Sequence, residues 1–316
     1  MQEIGGYIEL DKYTLPMLHD GAIALNCGRC ALAYLIRAKK IKKLLMPRFN
    51  CASVIQLCLR EHVVVRYYDI TETFLPEQVD LEKDEWLYLI NYYGQLSNEQ
   101  IVGYSNIYKR VIVDNAQAYF QMPVNGVDTL YTCRKFFGVP DGAFLYTDTK
   151  LNVPLPRDES FERMHFLLGR FERTASEFYQ ESVQNNRFFA DEDIKTMSRL
   201  TNNLLHALDY SDICKRRTDN FICLHQLLGN RNGLELKIPE GAFMYPLYLD
   251  DGVAIRRELQ KMKIYIPVLW PNVLEEEESL ERRFAENILP LPCDQRYGSE
   301  EMLYMAKTIE EIIHSR

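Results

Sequence analysis

Three short stretches bring together residue types that can do chemistry. In Leu25-Asn-Cys-Gly-Arg-Cys-Ala-Leu32 an apolar run passes into a glycine that opens a helical pattern. Free N–H groups at such a helix start form an anion site suited to a phosphate, with Gly28, Arg29 and Cys30 on the turn. A glycine kept only for sterics would read the same way. In Arg110-Val-Ile-Val-Asp-Asn-Ala-Gln-Ala118 an apolar strand delivers Asp114 at its carboxyl end, with Gln117 three residues on. Carboxyl ends of strands in an open α/β sheet face the ligand crevice, although an aspartate there serves equally as a helix cap. In Tyr131-Thr-Cys-Arg-Lys-Phe-Phe-Gly-Val-Pro-Asp-Gly-Ala143 a third apolar strand ends at Thr132, and Lys135 precedes a loop rich in glycine and proline. Flanked by Phe136 and Phe137, this lysine is expected to be partly desolvated, which favours the neutral, nucleophilic amine. The bland alternative is a surface lysine at a strand end.

Each stretch is weak alone, but jointly they match one requirement. Pyridoxal phosphate needs a phosphate cradle, a carboxylate on its pyridine nitrogen and a lysine for its aldehyde. The chain supplies all three in order, at the ends of strands in one sheet.

The elements that must position them are legible from the apolar pattern. Seven strand candidates are Ala22–Asn26, Lys43–Pro47, Val63–Tyr68, Trp86–Asn91, Arg110–Ala116, Thr129–Cys133 and Gly142–Thr147. The first five are separated by helix-length or longer segments, and continuous runs such as Val111-Ile-Val113 suit strands buried on both faces. This predicts an α/β fold with a mostly parallel seven-stranded sheet flanked by helices. Asn26 is the expected cap of the first helix. From Asp158 to about Gly229 the pattern is helical, with breaks expected near Asn185-Asn186 and Asp209-Tyr210. A smaller α+β unit follows, with a strand over Phe243–Leu249, a helix over Val253–Lys263, a short strand over Ile264–Ile266 and two helices ending at Ile313. The acidic run Glu275–Glu278 is expected to open one of those helices. The chain thus divides into a large domain, residues 1–229, and a small one, residues 230–316.

Composition narrows the function classes. The chain has 316 residues, 47% of them hydrophobic and 26% charged, as in an ordinary globular protein. No stretch reaches the ~20 apolar residues of a membrane span. The N-terminus begins MQEIGGY, acidic where a secretory signal would be basic and then apolar, so the expected compartment is cytoplasmic. The net charge of −8, with basic residues scattered, argues against nucleic acid as the main partner. The run from Arg37 to Lys43 reads as a solvated surface. Among the eight cysteines, Cys27-Gly-Arg-Cys30 has metal or redox spacing, but no second pair or paired histidines accompany it. Reduced thiols and no metal site are expected. His19, His62, His165, His206, His225 and His314 show no pairing and read as structural.

The motifs LNCGRCAL, MPRFNCASV, NYYGQ, DNAQA and KFFGVPDGA, preceded by Ile4-Gly-Gly-Tyr7 and followed by Ile288-Leu-Pro-Leu-Pro292, resemble the DegT/DnrJ/StrS family of sugar aminotransferases. These are fold-type-I pyridoxal-phosphate enzymes. The likeness covers the first half well, the segment from Arg157 to Asn230 poorly and the C-terminal unit moderately. It implies Lys135 as the Schiff-base lysine, six residues before Asp141-Gly142, and Asp114 as partner of the pyridine nitrogen. It also implies Gln117 near the ring hydroxyl, Thr132 on the phosphate, and Gly28, Arg29 and Cys30 in the phosphate-cradling turn. Departures stand at Arg29, where the family often has a hydroxyl residue, and at Cys51, where many members place an aromatic over the ring. Phe49 and Tyr93 are the candidate replacements. The Asp114–Lys135 segment is short, and Thr132 lies three residues from the lysine, closer to the spacing of aspartate aminotransferase.

The resemblance implies a homodimer that aminates a nucleotide-linked keto sugar from an amino-acid donor such as glutamate, with Lys135 moving the proton. Alternatives are other pyridoxal chemistry (sugar dehydration or amino-acid transamination) and a non-catalytic binding protein of the same fold. An amino-acid enzyme would clamp a carboxylate with a forked arginine. Arg256, Arg257, Arg282 and Arg283 lie in charged helical stretches with the character of solvated faces, which leaves Arg296 as the credible clamp. Tyr92, Tyr93, Tyr245 and Trp270 are candidate aromatic faces for a sugar or base.

Overall fold

The computed structural model describes residues 4–275 and 277–315. Along the chain, β1 (Ile23–Leu25), α1 (Gly28–Ala38), β2 (Lys43–Pro47), α2 (Ala52–Arg60), β3 (Val64–Tyr68), β4 (Glu85–Ile90), α3 (Asn98–Tyr108), β5 (Val111–Asp114), β6 (Asp128–Thr132) and β7 (Ala143–Tyr146) build the first half. Four helices follow: α4 (His165–Glu172), α5 (Tyr179–Phe188), α6 (Arg199–Leu205) and α7 (Tyr210–Leu228). The last part holds β8 (Tyr245–Tyr248), α8 (Gly252–Lys261), α9 (Leu280–Asn287), β9 (Ile288–Leu291) and α10 (Ser299–His314).

All seven expected strands form one sheet in the order β1-β7-β6-β5-β4-β2-β3. Neighbours from β6 through β3 run parallel, and β7 runs antiparallel to both β6 and β1. Burial explains the sequence pattern. Every residue of β5 is buried, as is each residue of α1 from Cys30 to Ile36. Removing a Val, Leu or Ile side chain from water contributes about 1.5–3 kcal/mol each, which fixes the register of this central layer.

That register sets the functional edge. Leu25 and Thr132 both pair with Ala143, from opposite sides of β7. Since β1 and β6 therefore point the same way, the turn after Leu25 and the loop after Thr132 leave one edge of the sheet together. On the next strand Asp114 pairs with Leu130, two residues before Thr132. Three chain segments thus emerge side by side, with neighbouring strands ~4.8 Å apart.

The C-terminal unit carries a two-stranded antiparallel sheet of β8 and β9. Its apolar cluster includes Leu247, Leu259, Leu289 and Ile309, together with Phe221, Leu224 and Leu228 of α7. Several expectations are corrected here. Ile264–Ile266 forms no strand, and the partner of β8 is Ile288–Leu291. Asn185-Asn186 lies inside α5, which ends at Phe188, while Asp209 does cap α7 by accepting from the Asp212 N–H. The acidic run does not open α9, whose cap is Ser279; Glu276, like residues 1–3, lies outside the described residues.

Candidate active site

The anion turn forms as its residue types suggest, with a different cap. Cys27, not Asn26, caps α1: its Sγ accepts the Cys30 N–H at 3.4 Å. The Asn26 side chain instead ties down a later loop, donating to the Asp193 carbonyl at 3.2 Å and accepting from the Lys195 N–H at 3.3 Å. Gly28 faces Thr132; a β-carbon on it would sit 3.7 Å from the Thr132 Cβ, filling the gap between helix start and strand end. Two arginines converge on Asn186, Arg29 on its carbonyl oxygen at 3.2 Å and Arg134 on its side-chain oxygen. Arg134 stacks 4.8 Å from the Phe189 ring, and burial pushes its pKa down to about 10, still cationic at neutral pH. Sequence reading missed Arg134; its only signal was its place directly before the lysine.

Asp114 is buried at the end of β5 and caps no helix, because a turn follows it. One carboxyl oxygen accepts from the Tyr88 hydroxyl at 2.6 Å and the other from the Ala116 N–H at 2.8 Å. Tyr88 is fully enclosed, and its phenol pKa is raised by burial and then by Asp114. Two contacts leave lone pairs on the carboxyl for a further donor. Gln117, also buried, accepts the Tyr93 N–H at 2.8 Å through its side-chain oxygen, leaving its NH₂ group.

Lys135 departs from expectation. Phe136 and Phe137 turn into the core against Tyr119 and do not cover it; the lysine is exposed, its Nζ 5.6 Å from the Phe243 ring. The reason is the tight turn in which the Phe136 and Phe137 N–H groups both return to the Cys133 carbonyl at 2.9 Å. That turn points flanking side chains inward and the lysine outward. Behind it, the Phe136 carbonyl accepts from Arg217 at 3.0 Å and from Gln295 at 2.8 Å. Arg217 is buried, bonded also to Gln295 at 2.6 Å and the Ala242 carbonyl at 2.8 Å. Burial lowers its pKa to about 10. Its sequence signal was position: Ile213, Arg217, Phe221 and Leu224 share the inward face of α7.

The loop closes on Asp141, which accepts from the Ser198 hydroxyl at 2.7 Å, the Ser198 N–H at 2.8 Å and the Thr201 hydroxyl. Gly142 follows at φ +111, where a β-carbon would also lie 3.0 Å from Thr201 and 3.1 Å from the Cys133 sulfur. Only glycine fits there without strain.

Tyr92, Tyr93, Tyr245 and Trp270 are all buried, so they present no aromatic face to a sugar. Phe49 and Tyr93 are enclosed in an aromatic cluster around Trp270, and Cys51 is an exposed residue at the start of α2. Arg256 is no solvated-face residue: it donates to the Glu286 carbonyl at 3.2 Å and the Ile288 carbonyl at 2.8 Å. Arg296 grips Asp294 with both prongs, at 2.7 and 2.8 Å. An open acidic groove of about 1190 Å³ beyond β3, lined by Asp69, Glu72, Glu77 and Glu277, includes none of the candidate residues. Among the described residues, no group of three His, Cys, Asp or Glu side chains converges as for a metal ion, and no helix is long and apolar enough to cross a membrane.

With this geometry in view, the chain superposes on solved aminotransferases. A DegT DnrJ EryC1 StrS aminotransferase from Brucella abortus matches with TM-score 0.62 at 13% identity, over 92% of this chain and 86% of that one. The chain has the fold of these aminotransferases. A sugar aminotransferase from Micromonospora echinospora matches with TM-score 0.60 at 14% identity, over 92% and 87%. NtdA from Bacillus subtilis, solved with bound cofactor PMP, matches with TM-score 0.65 at 14% identity, over 92% and 73%. No family model matches the sequence, and no curated protein matches it. At such identities the likeness establishes architecture, that of a fold-type-I transferase.

Proposed function

We propose that this protein is a pyridoxal-phosphate-dependent aminotransferase of the DegT/DnrJ/StrS type. The observation that carries the reading is the common edge at which a buried, doubly hydrogen-bonded Asp114, an exposed Lys135 and the Gly28–Thr132 gap emerge from neighbouring strands. The residues fit the cofactor. Gly28 leaves the gap that a β-carbon would fill, and Asp114 keeps lone pairs for a pyridinium N–H. When bound, the cofactor supplies an aldehyde for the lysine and a ring that accepts electrons from the substrate.

The chain's own residues divide the remaining work. Thr132, Arg29 and the Gly28 N–H would hold the phosphate, joined by the Cys30 N–H once it gives up its bond to Cys27 Sγ, with the α1 N-terminus adding its partial positive charge. Asp114 would hold the proton on the ring nitrogen, and Gln117 would orient the ring hydroxyl. The Lys135 amine would take and return the proton at the substrate carbon, a task its exposed side chain leaves it free to do.

For the acceptor we favour a nucleotide-linked keto sugar, with an amino-acid donor such as glutamate. Arg296, the residue suited to clamp a keto acid, is already neutralised by Asp294, and the Micromonospora neighbour is a sugar aminotransferase. Residues 1–229 would bind the cofactor and 230–316 form the smaller domain. A homodimer agrees with the exposed Ile4, Tyr7, Ile8 and Phe171, and a cytoplasmic location with eight free cysteines.

The test is direct. Protein mixed with pyridoxal phosphate should turn yellow, and borohydride should fix the cofactor on the peptide holding Lys135. Asp114→Asn should keep part of the binding and lose most turnover with amino donors. Fixation at another lysine, or none, removes the reading.

A further inference from the structure

The Cys27-Gly-Arg-Cys30 turn holds chemistry that the proposed activity does not use. The two sulfur atoms lie 3.3 Å apart and are buried at the start of α1. Closing them to a disulfide length of ~2.05 Å needs an approach of roughly 1.3 Å, within the reach of side-chain rotation.

The pair is also chemically polarised, and the geometry sets its direction. Cys27 Sγ accepts a backbone N–H, at a helix start where the dipole favours negative charge. Cys30 Sγ instead faces the Asp193 carbonyl at 3.5 Å and the Glu192 carbonyl at 3.9 Å, both of which favour the protonated thiol. The hydrogen bond with Cys30, outweighing burial and helped by Arg29 and Arg134, lowers the Cys27 pKa to about 7. The bond to Cys27 and then burial push Cys30 up. These contacts favour ionisation at Cys27 over Cys30. The buried Cys58, Cys133 and Cys293 have pKa values raised by burial, the opposite of Cys27.

We infer that Cys27 and Cys30 form a redox-active dithiol that exchanges with small-molecule disulfides. The Cys27 thiolate attacks one sulfur of the disulfide and expels a thiolate, leaving a mixed disulfide on Cys27. With the charge on Cys27 gone, Cys30 gives up its proton and attacks the Cys27 sulfur, expelling the second thiolate. The two cysteines lose two electrons, and the small disulfide gains them as two thiols. Exchange should compete with phosphate at this turn, because both use the Cys30 N–H.

Hydroxyethyl disulfide is a suitable oxidant, with peptide mapping in acid to trap the products. In the wild-type chain the 27–30 disulfide should form, while the exposed Cys51 carries only a mixed disulfide. Cys30→Ser should accumulate the mixed disulfide on Cys27, and its formation rate should rise with pH through about 7. Cys27→Ser should leave Cys30 unmodified. Serine is close in size at both positions and a good helix cap at 27, so both variants should fold. The inference is overturned if Cys51 reacts while Cys27 and Cys30 remain free, or if Cys30→Ser traps nothing on Cys27.

Discussion

Asp114 and Lys135 leave the same sheet edge from adjacent strands, yet they are held in opposite ways. Asp114 is fixed by the sheet: buried, bonded to Tyr88 of the neighbouring strand β4 and to the turn that follows it. Lys135 has no comparable anchor of its own. The turn that carries it is gripped from behind, at the Phe136 carbonyl, by Arg217 of α7 and Gln295 of the C-terminal unit. A carboxylate that only tunes a ring is best immobilised, whereas an amine that must move a proton needs a rigid base and a free end. The difference separates a residue held by the large sheet from one whose support depends on how the two parts of the chain pack.

The strongest way to break this comparison is Arg217→Met. It removes the fork that joins Phe136, Gln295 and Ala242, leaving buried acceptors without donors. We expect a loss of roughly 3–5 kcal/mol in urea unfolding, in the range of large buried truncations. Arg217→Lys should recover part of the stability but not the two-pronged geometry. If Arg217→Met unfolds like the parent, the lysine turn is held elsewhere.

A second test acts on the packing of β6 and β7, the strand pair that ends at the lysine turn. His19 is fully buried beneath β6 and β7, with its ring nitrogens on the Tyr146 hydroxyl at 3.1 Å and the Tyr119 carbonyl at 2.9 Å. Burial lowers its pKa to about 4. Because the unfolded chain binds the proton more readily, folding stability falls as pH drops from 6.5 and stops falling below about 4. The loss should reach roughly 3 kcal/mol. Unfolding curves of the parent and His19→Gln between pH 7 and pH 4, as an order-of-magnitude window around those values, should differ in slope; equal slopes would mean that His19 charges freely in the fold.

The same contrast explains what the sequence made legible. The seven strands were readable because each needs a local apolar run, and Asp114 follows directly from where one such run stops. The environment of Lys135 was not readable, since its exposure depends on how a turn directs Phe136 and Phe137. Ile264–Ile266 has strand-forming residues but no partner strand, whereas Ile288–Leu291, interrupted by Pro290, pairs along β8. Propensity without a partner makes no strand. Arg217 escaped notice because arginine is almost never fully buried unless paired, and its partners are carbonyls and an amide distant in sequence.

A smaller effect should follow on the aspartate side. Tyr88→Phe removes one donor to Asp114 while keeping the ring that fills the core. We expect about 1 kcal/mol lost in unfolding, with cofactor retained and turnover reduced less than in Asp114→Asn. A loss as large as that of Arg217→Met would erase the distinction between the two anchors.

The smallest stability effect is expected at Arg296, where it decides most about the substrate. Its side chain is half exposed, and the buried Asp294 keeps the Arg296 N–H as a donor, so Arg296→Ala should cost only about 1 kcal/mol. If the acceptor is a nucleotide-linked keto sugar, turnover with it should survive the substitution, because no substrate carboxylate awaits the guanidinium. A keto-acid enzyme would behave differently: the substrate would have to draw Arg296 from Asp294, and the substitution would abolish that turnover. The assay offers the pyridoxamine-loaded protein nucleotide-linked keto sugars beside 2-oxoglutarate, with and without Arg296→Ala. Activity with keto acids alone, lost in the variant, would overturn the sugar assignment and make the Asp294 pair a latch that the substrate opens.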